Sequence, residues 1–202
     1  HTDRDVVTTF THDSACNQIA TTAALGLKTR TYYDDLDRTI AVVANLMGQT
    51  ITNESVPAFD PAYPDRNVRA FTSYDSAGRV LETTDNAGLV TRHTYDDLGR
   101  TVTTTVNYVS GGPVDDVTNL ASGTVYDKLG NVTRSLDAEG VQTGFDYDWV
   151  SRLITVTENL VVPGITTESQ NVRTGYAYDG RGNRLTITDG RGKLTTFTYD
   201  DL

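Results

Sequence analysis

The chain has 202 residues and a formal net charge of −10, with 34 threonines, 11 tyrosines and 17 glycines against one Met, one Trp and one Cys. The acidic balance argues against a nucleic-acid backbone or an anionic membrane surface as partner, and no run of about 18 apolar residues exists to span a bilayer. The single Cys16 excludes an internal disulfide framework.

Thr and Tyr favour strands and Gly favours turns, so the composition predicts an all-β chain. In chain order, a six-residue phrase organises it. A degenerate copy begins at His12 and looser copies begin at Tyr33, Tyr147 and Tyr178. The clear copies are Tyr74-Asp75-Ser76-Ala77-Gly78-Arg79, Tyr95-Asp96-Asp97-Leu98-Gly99-Arg100 and Tyr126-Asp127-Lys128-Leu129-Gly130-Asn131, and a truncated copy begins at Tyr199. The spacings are 21, 41, 21, 31, 21, 31 and 21, so a short unit alternates with a long one, with a super-period of 52 from Tyr74 to Tyr126 to Tyr178. Such self-similarity decides architecture before any single residue can be weighed. The expected domain is one repeat array over 1–202, a segment of a larger protein, since the chain starts at His1 without Met or leader.

Asp75 to Gly78, Asp96 to Gly99, Asp127 to Gly130 and Asp179 to Gly182 share one logic. The Asp side chain accepts backbone N–H groups and Gly takes positive φ, which makes a tight reversal. A second reversal in each short unit carries Gly26, Gly88, Gly140 or Gly192. About six residues lie between reversals, enough for a strand of roughly 20 Å. The result is a repetitive antiparallel β-hairpin strip. Seven and nine residues after each phrase start stand mostly apolar or Thr residues such as Ile40 and Val42, or Leu81 and Thr83. On the return strands stand Thr29, Thr91, Thr143 and Thr195, then Thr31, His93, Phe145 and Phe197. Period-two alternation puts these on one face, expected to be packed in cross-strand ladders, with the intervening positions facing water. Cys16, Asp37 and Ser151 occupy the phrase glycine position, where distorted turns are expected at His12 and Tyr147.

The long units replace the second turn by excursions, residues 44–66, 108–116 and 159–170, which hold Pro57, Pro61 and Pro64, then Gly111-Gly112-Pro113, then Pro163-Gly164. Proline removes a ladder bond, so these are loops. Phe59, Tyr63 and Tyr108 lie in or beside them, and Trp149 and Tyr147 lie near a turn. Exposed aromatics there would stack on a sugar ring or a protein partner, or would fold back over the strip.

The paired carboxylates Asp34-Asp35, Asp96-Asp97 and Asp200-Asp201 resemble an acid/base or cation site, but each pair holds the same repeat position, which reads as turn cap plus edge charge. His1, His12 and His93 lack metal-ligand spacing, and Cys16 has no base nearby in sequence. Arg38, Arg79, Arg100 and Arg152 form a row, read as pairing with the Asp-rich turns of neighbouring units rather than as a ligand site. No catalytic, cofactor or metal residue is expected, and the chain is read as no enzyme.

The Tyr-Asp-x-x-Gly-Arg phrase, followed by Thr-Asp-x-x-Gly and Thr-x-Phe-x-Tyr-Asp, resembles the YD repeats of the RHS-repeat family. That family includes bacterial polymorphic toxin shells, insecticidal toxin complex shell components, wall-associated proteins and teneurins. The resemblance runs from about Phe10 to Leu202. It implies a β-hairpin strip forming part of a rigid extracellular or cargo-enclosing shell on a secreted or surface-exposed bacterial protein. It implies as partners neighbouring YD repeats of the same or another chain and an enclosed cargo polypeptide or a surface glycan. The alternative is an adhesion module binding glycan or protein through the three excursions. The shell-closing Tyr-Asp-Pro-x-x-Gly-Arg-Phe pattern is absent, so self-cleavage has no place on this stretch.

Overall fold

The structure, a computed structural model, describes residues 7–162, 167 and 169–200. His1, Pro163, Gly164, Asp201 and Leu202 of the readings above lie outside the described residues. The chain divides into two compact units, one reaching His93 together with Val106–Pro113, the other Thr94–Thr105 together with the residues from Val114 onward.

The first unit carries β1 (Thr9–His12), β2 (Gln18–Thr22), β3 (Lys28–Tyr33), β4 (Thr39–Ala44), β5 (Val68–Tyr74), β6 (Val80–Thr84) and most of β7 (Val90–Tyr95). The second carries most of β8 (Thr101–Val106), then β9 (Leu120–Tyr126), β10 (Val132–Leu136), β11 (Gln142–Tyr147), β12 (Leu153–Glu158), β13 (Val172–Tyr178), β14 (Arg184–Thr188) and β15 (Leu194–Thr196). Among the described residues there is no helix. The fold is all-β, and strand order is chain order: β1 to β7 pair antiparallel in sequence in the first unit, and β9 to β15 do so in the second.

The expected ladders are in register: Thr21 opposite Thr29, Thr83 opposite Thr91, Ser135 opposite Thr143 and Ile187 opposite Thr195. The phrase hairpins that lie within one unit also contain a β-bulge that the alternation did not anticipate. Tyr33 faces Thr39 while Tyr32 faces Ala41, so Ile40 is the extra residue. Leu81, Thr133, Ile154 and Leu185 are extra in the same way. The apolar set at seven residues after the phrase start is therefore the set of bulge residues, and a bulge bends its strand and raises its twist.

The bulge corrects the expected burial. In the first unit the buried face is formed by the intervening positions: Ala20, Arg30, Tyr32, Ala41 and Val43 are buried, while Ile40 is 37 % exposed. The excursion after β4 is the cause. It folds back over this face, so that Tyr32, Ala41, Val43 and Leu46 form a core with Ile51, Val56 and Phe71 against it. The Tyr32 hydroxyl donates to the Ser55 carbonyl at 3.2 Å, tying the excursion down.

The excursions share a frame that the sequence reading missed. Asn45 and Asn67, Asn107 and Asn119, and Asn159 and Asn171 all have φ between 47° and 54°, the left-handed region that Asn tolerates better than most side chains. The N–H of Asn67 donates to the Asn45 carbonyl, that of Asn171 to the Asn159 carbonyl. Asn67 Oδ1 accepts from the Met47 N–H, and Asn171 Oδ1 from the Val161 N–H, both at 2.8 Å. The signal was present in the sequence: the later two pairs repeat at 52 residues.

Candidate functional site

The repeat phrase carries a dense set of polar contacts. In the copy at Tyr74 the Gly78 N–H donates to the Asp75 carbonyl at 3.0 Å and the Asp75 N–H to the Arg79 carbonyl at 2.8 Å. Gly78 has φ of 81°, which makes this a type I turn closed by a glycine bulge, a common three-residue hairpin loop. Asp75 Oδ1 accepts from the N–H groups of Ala77 and Arg79, and Oδ2 accepts from Arg79 Nε at 2.7 Å. The same bonds recur at Asp34, Asp96 and Asp148 with Arg38, Arg100 and Arg152. At Asp127 and Asp179 the amides of Asn131 and Asn183 replace the guanidinium, each at 2.9 Å.

These bonds hold the carboxyls below the usual carboxylate range. For Asp34 and Asp96 the leading cause is the partner arginine side chain, for Asp127 the Asn131 amide, and for Asp75 the Arg79 backbone N–H. A carboxylate locked in this way is an acceptor already in use, with neither the raised pKa nor the free lone pairs that acid/base work requires.

The arginine row pairs otherwise than expected. Each described ion pair of the row joins Arg to the Asp four residues earlier in its own phrase. Toward the next phrase the contact is aromatic: Arg38 lies 4.5 Å from the Tyr74 ring centre, Arg100 4.4 Å from that of Tyr126 and Arg152 4.9 Å from that of Tyr178. Arg100 and Arg152 also donate to the backbone carbonyls of Asp127 and Asp179. The phrase tyrosine completes the link. Tyr33, Tyr74, Tyr126, Tyr147, Tyr178 and Tyr199 donate their hydroxyls to the carbonyls of Gln18, Thr39, Thr101, Val132, Leu153 and Arg184, each six residues after the preceding phrase start.

The turns without glycine keep the same bonds, contrary to the expected distortion. Cys16, Asp37 and Ser151 have φ of 71°, 59° and 63°, and their N–H groups donate to the carbonyls of Asp13, Asp34 and Asp148. Two of them gain a partner from the preceding phrase: Asn17 Nδ2 donates to Asp37 Oδ1 at 2.6 Å and Asn131 Nδ2 to Ser151 Oγ at 3.1 Å. A side chain bonded there offsets part of the left-handed strain.

Of the aromatic candidates, Phe59 lies against Arg69, and Tyr108 packs beneath Arg92, whose Nη1 donates to the Tyr108 hydroxyl at 2.8 Å. Tyr63 is 48 % exposed with Arg66 over its ring, and Trp149 is 89 % exposed at the tip of the Asp148–Ser151 turn. Among the described residues no group of three or more His, Cys, Asp and Glu is placed to hold a metal ion.

Two concavities stand apart from the turns. In the first unit a cavity of about 600 Å³ lies between the excursion and β3, with the buried Arg30 beside Asp35, Asp37 and Glu54. Arg30 Nη1 donates to the Ile19 and Thr31 carbonyls. In the second unit a more open cavity of about 530 Å³ is bordered by Gly123, Val102, Val125 and Leu136, with Asp96, Arg100 and Arg134 at its edge.

Residues 74–112 match the RHS repeat family model. No curated protein matches the chain in sequence. Among solved structures, the chain is similar to a chain of the Photorhabdus luminescens Tc holotoxin pore, with a TM-score of 0.63 and 18 % identity over 95 % of its residues. It is also similar to a chain in the crystal structure of TcdB2-TccC3-Cdc42, with a TM-score of 0.60 and 19 % identity over 94 % of its residues. It spans 9 % of the length of each of those chains.

Proposed function

We propose that this chain, which matches the RHS repeat model over residues 74–112, is a passive wall segment of a toxin-type β-shell built of such repeats, without catalytic activity of its own. The shell belongs to a secreted or surface-exposed bacterial protein and encloses a polypeptide cargo. One observation carries this reading. In the copies at Tyr74, Tyr126, Tyr147 and Tyr178 the distinctive polar groups of the phrase are consumed by turning the chain and by fastening one hairpin to the next, through the Asp turn and the Tyr hydroxyl. The fold likeness to chains of two toxin assemblies supports the shell context.

The reading is tested in the parent protein by excising one super-repeat, residues 126–177, in phase. The shortened protein is expected to remain soluble and to keep its β-sheet circular dichroism, with loss of protease protection of the enclosed polypeptide. An out-of-phase excision that separates a Tyr from its carbonyl should aggregate. A hydrolytic or metal-dependent turnover abolished by a single Asp75→Asn change would overturn the wall reading.

The exposure of Trp149 supports a second reading, adhesion to a glycan or a protein through the turn margin. Trp149→Ala should then abolish surface binding with unchanged unfolding behaviour, and undiminished binding would remove that reading.

A further inference from the structure

The super-repeat contains its own experiment on one site. Phe71 and Gly123 are 52 residues apart, each three residues before a phrase tyrosine, Tyr74 or Tyr126. They hold the same place in the ladder, Phe71 opposite Thr84 and Gly123 opposite Leu136. In the first unit the chain fills this place with an aromatic ring, packed on the core of Tyr32, Ala41, Val43 and Leu46, with the Arg69 guanidinium 5.6 Å from the ring centre. In the second unit the ring is missing and the cavity of about 530 Å³ remains. Leu136, larger than its counterpart Thr84, leans toward Gly123 without closing the space: a Cβ at Gly123 would meet Leu136 Cβ at 3.7 Å and the Val102 carbonyl at 3.6 Å, ordinary contact distances.

Gly123 therefore is not required by its backbone, which lies outside the left-handed region. A strand glycine of this kind weakens the strand and marks a place where another group approaches closely. The exposed lining is largely apolar, with Val125 54 % exposed, although Thr124, Ser135 and Gln142 also border the space. The charged rim is asymmetric. Asp96 and Arg100 are paired at 2.7 Å, whereas the Arg134 side chain has no ionic or hydrogen-bonding partner among the described residues. An open, largely apolar groove beside one cation without an ionic partner suits a guest that places an aromatic group next to a negative charge.

We propose that the cavity at Gly123 is a docking site for a polypeptide segment presenting an aromatic side chain beside a carboxylate. The guest ring takes the place that Phe71 takes in the first unit, and the guest carboxylate meets Arg134. The class of partner rests on the wall reading, in which a polypeptide lies along the sheet. The site itself rests on the geometry of β9 and β10.

The test uses the full 202-residue chain and short soluble peptides of Gly and Ser carrying Asp-Phe, Asp-Ala or Lys-Phe at their centre, titrated to millimolar concentration. Methyl resonances of Val102, Val125 and Leu136 report occupancy. The Asp-Phe peptide should shift them saturably, and replacing Phe by Ala or Asp by Lys should weaken binding by about tenfold or more. Gly123→Phe supplies the ring in cis and should abolish the shifts. Gly123→Val, which suits a strand, serves as the milder block should the larger ring disturb the register. Saturable binding that ignores the peptide's ring, binding undiminished in both Gly123 variants, or no saturable shift at all would each overturn the proposal. None of these outcomes touches the wall reading, which the in-phase excision tests separately.

Discussion

Ala41 and Val43 in β4 correspond by repeat position to Thr103 and Thr105 in β8 and to Thr155 and Thr157 in β12. Tyr32 corresponds to Thr94 and Asp146, and the excursion bounded by Asn45 and Asn67 is ten residues longer than the one bounded by Asn159 and Asn171. The first unit has thus acquired apolar residues and the loop that covers them together, while the second keeps Thr and Gly on that face and a shorter excursion. The turns, bulges, Tyr hydroxyl bonds and Asp caps are alike in both. The hairpin framework and the burial of a face are therefore separable properties of this repeat. The phrase makes the strip, and an excursion decides whether one side of it becomes a core.

The largest expected effect tests that separation. Tyr32→Ala removes a buried ring and its bond to the Ser55 carbonyl, and should cost about 3–4 kcal/mol in denaturant unfolding. Thr157→Ala, equally buried in the second unit, removes far less apolar packing and should cost about 1 kcal/mol. If the two cost the same, the first unit has no privileged core and the contrast fails. Removal of residues 53–66 should act in the direction of Tyr32→Ala, since Val56 leaves with them and the face beneath is uncovered.

Much of the framework was legible because it is local. An Asp three residues before a Gly specifies its own reversal, and a fixed spacing then sets which residues meet across strands, as Thr83 and Thr91 do. The buried face was not legible, for two physical reasons. The bulge at Ile40, Leu81 and their equivalents inserts a residue that simple alternation cannot see, so Ala41 rather than Ile40 points with Tyr32. The covering of that face by Leu46, Ile51 and Val56 is a tertiary event, dictated by where an irregular loop folds back. The same limit held for the aromatics. Phe59 and Tyr63 share one excursion, yet the first lies against the sheet and the second is largely exposed. The Asn pairs and the Phe71–Gly123 substitution were visible at the 52-residue period, but acquire meaning only once the backbone angle and the empty space are known.

A smaller effect sharpens the comparison at glycine. Gly78 sits at φ of 81° in a turn common to both units, so Gly78→Ala should cost about 1 kcal/mol from left-handed strain. Gly123→Ala carries no such strain, meets its neighbours at 3.6 Å or more, and should be neutral or stabilising by about 0.5 kcal/mol. Equal destabilisation by both, measured as urea midpoints, would mean that Gly123 is held by the framework rather than left open on a face.

The smallest effect concerns the caps, where the copies of the phrase differ in how the carboxylate is held. Folded Asp34, Asp96, Asp127 and Asp148 all lie below the ordinary value of 3.8, so the unfolded chain takes up protons more readily than the folded one. Their contribution is fully present above that value and is lost as pH falls through it toward the lower folded values, so urea midpoints should decline from about pH 5 downward. Within the second unit, Asp148 is bonded by the Arg152 guanidinium and Asp127 by the neutral Asn131 amide. Salt screens a charge pair at the surface far more than a hydrogen bond to an amide. Asp148→Asn should therefore reduce the acid sensitivity strongly at low salt and little at high salt, while Asp127→Asn should reduce it by a similar amount at both. Identical salt responses would mean that the turn's backbone N–H groups, shared by every copy, do all the holding, and that the arginine of the phrase serves the ring of the next tyrosine alone.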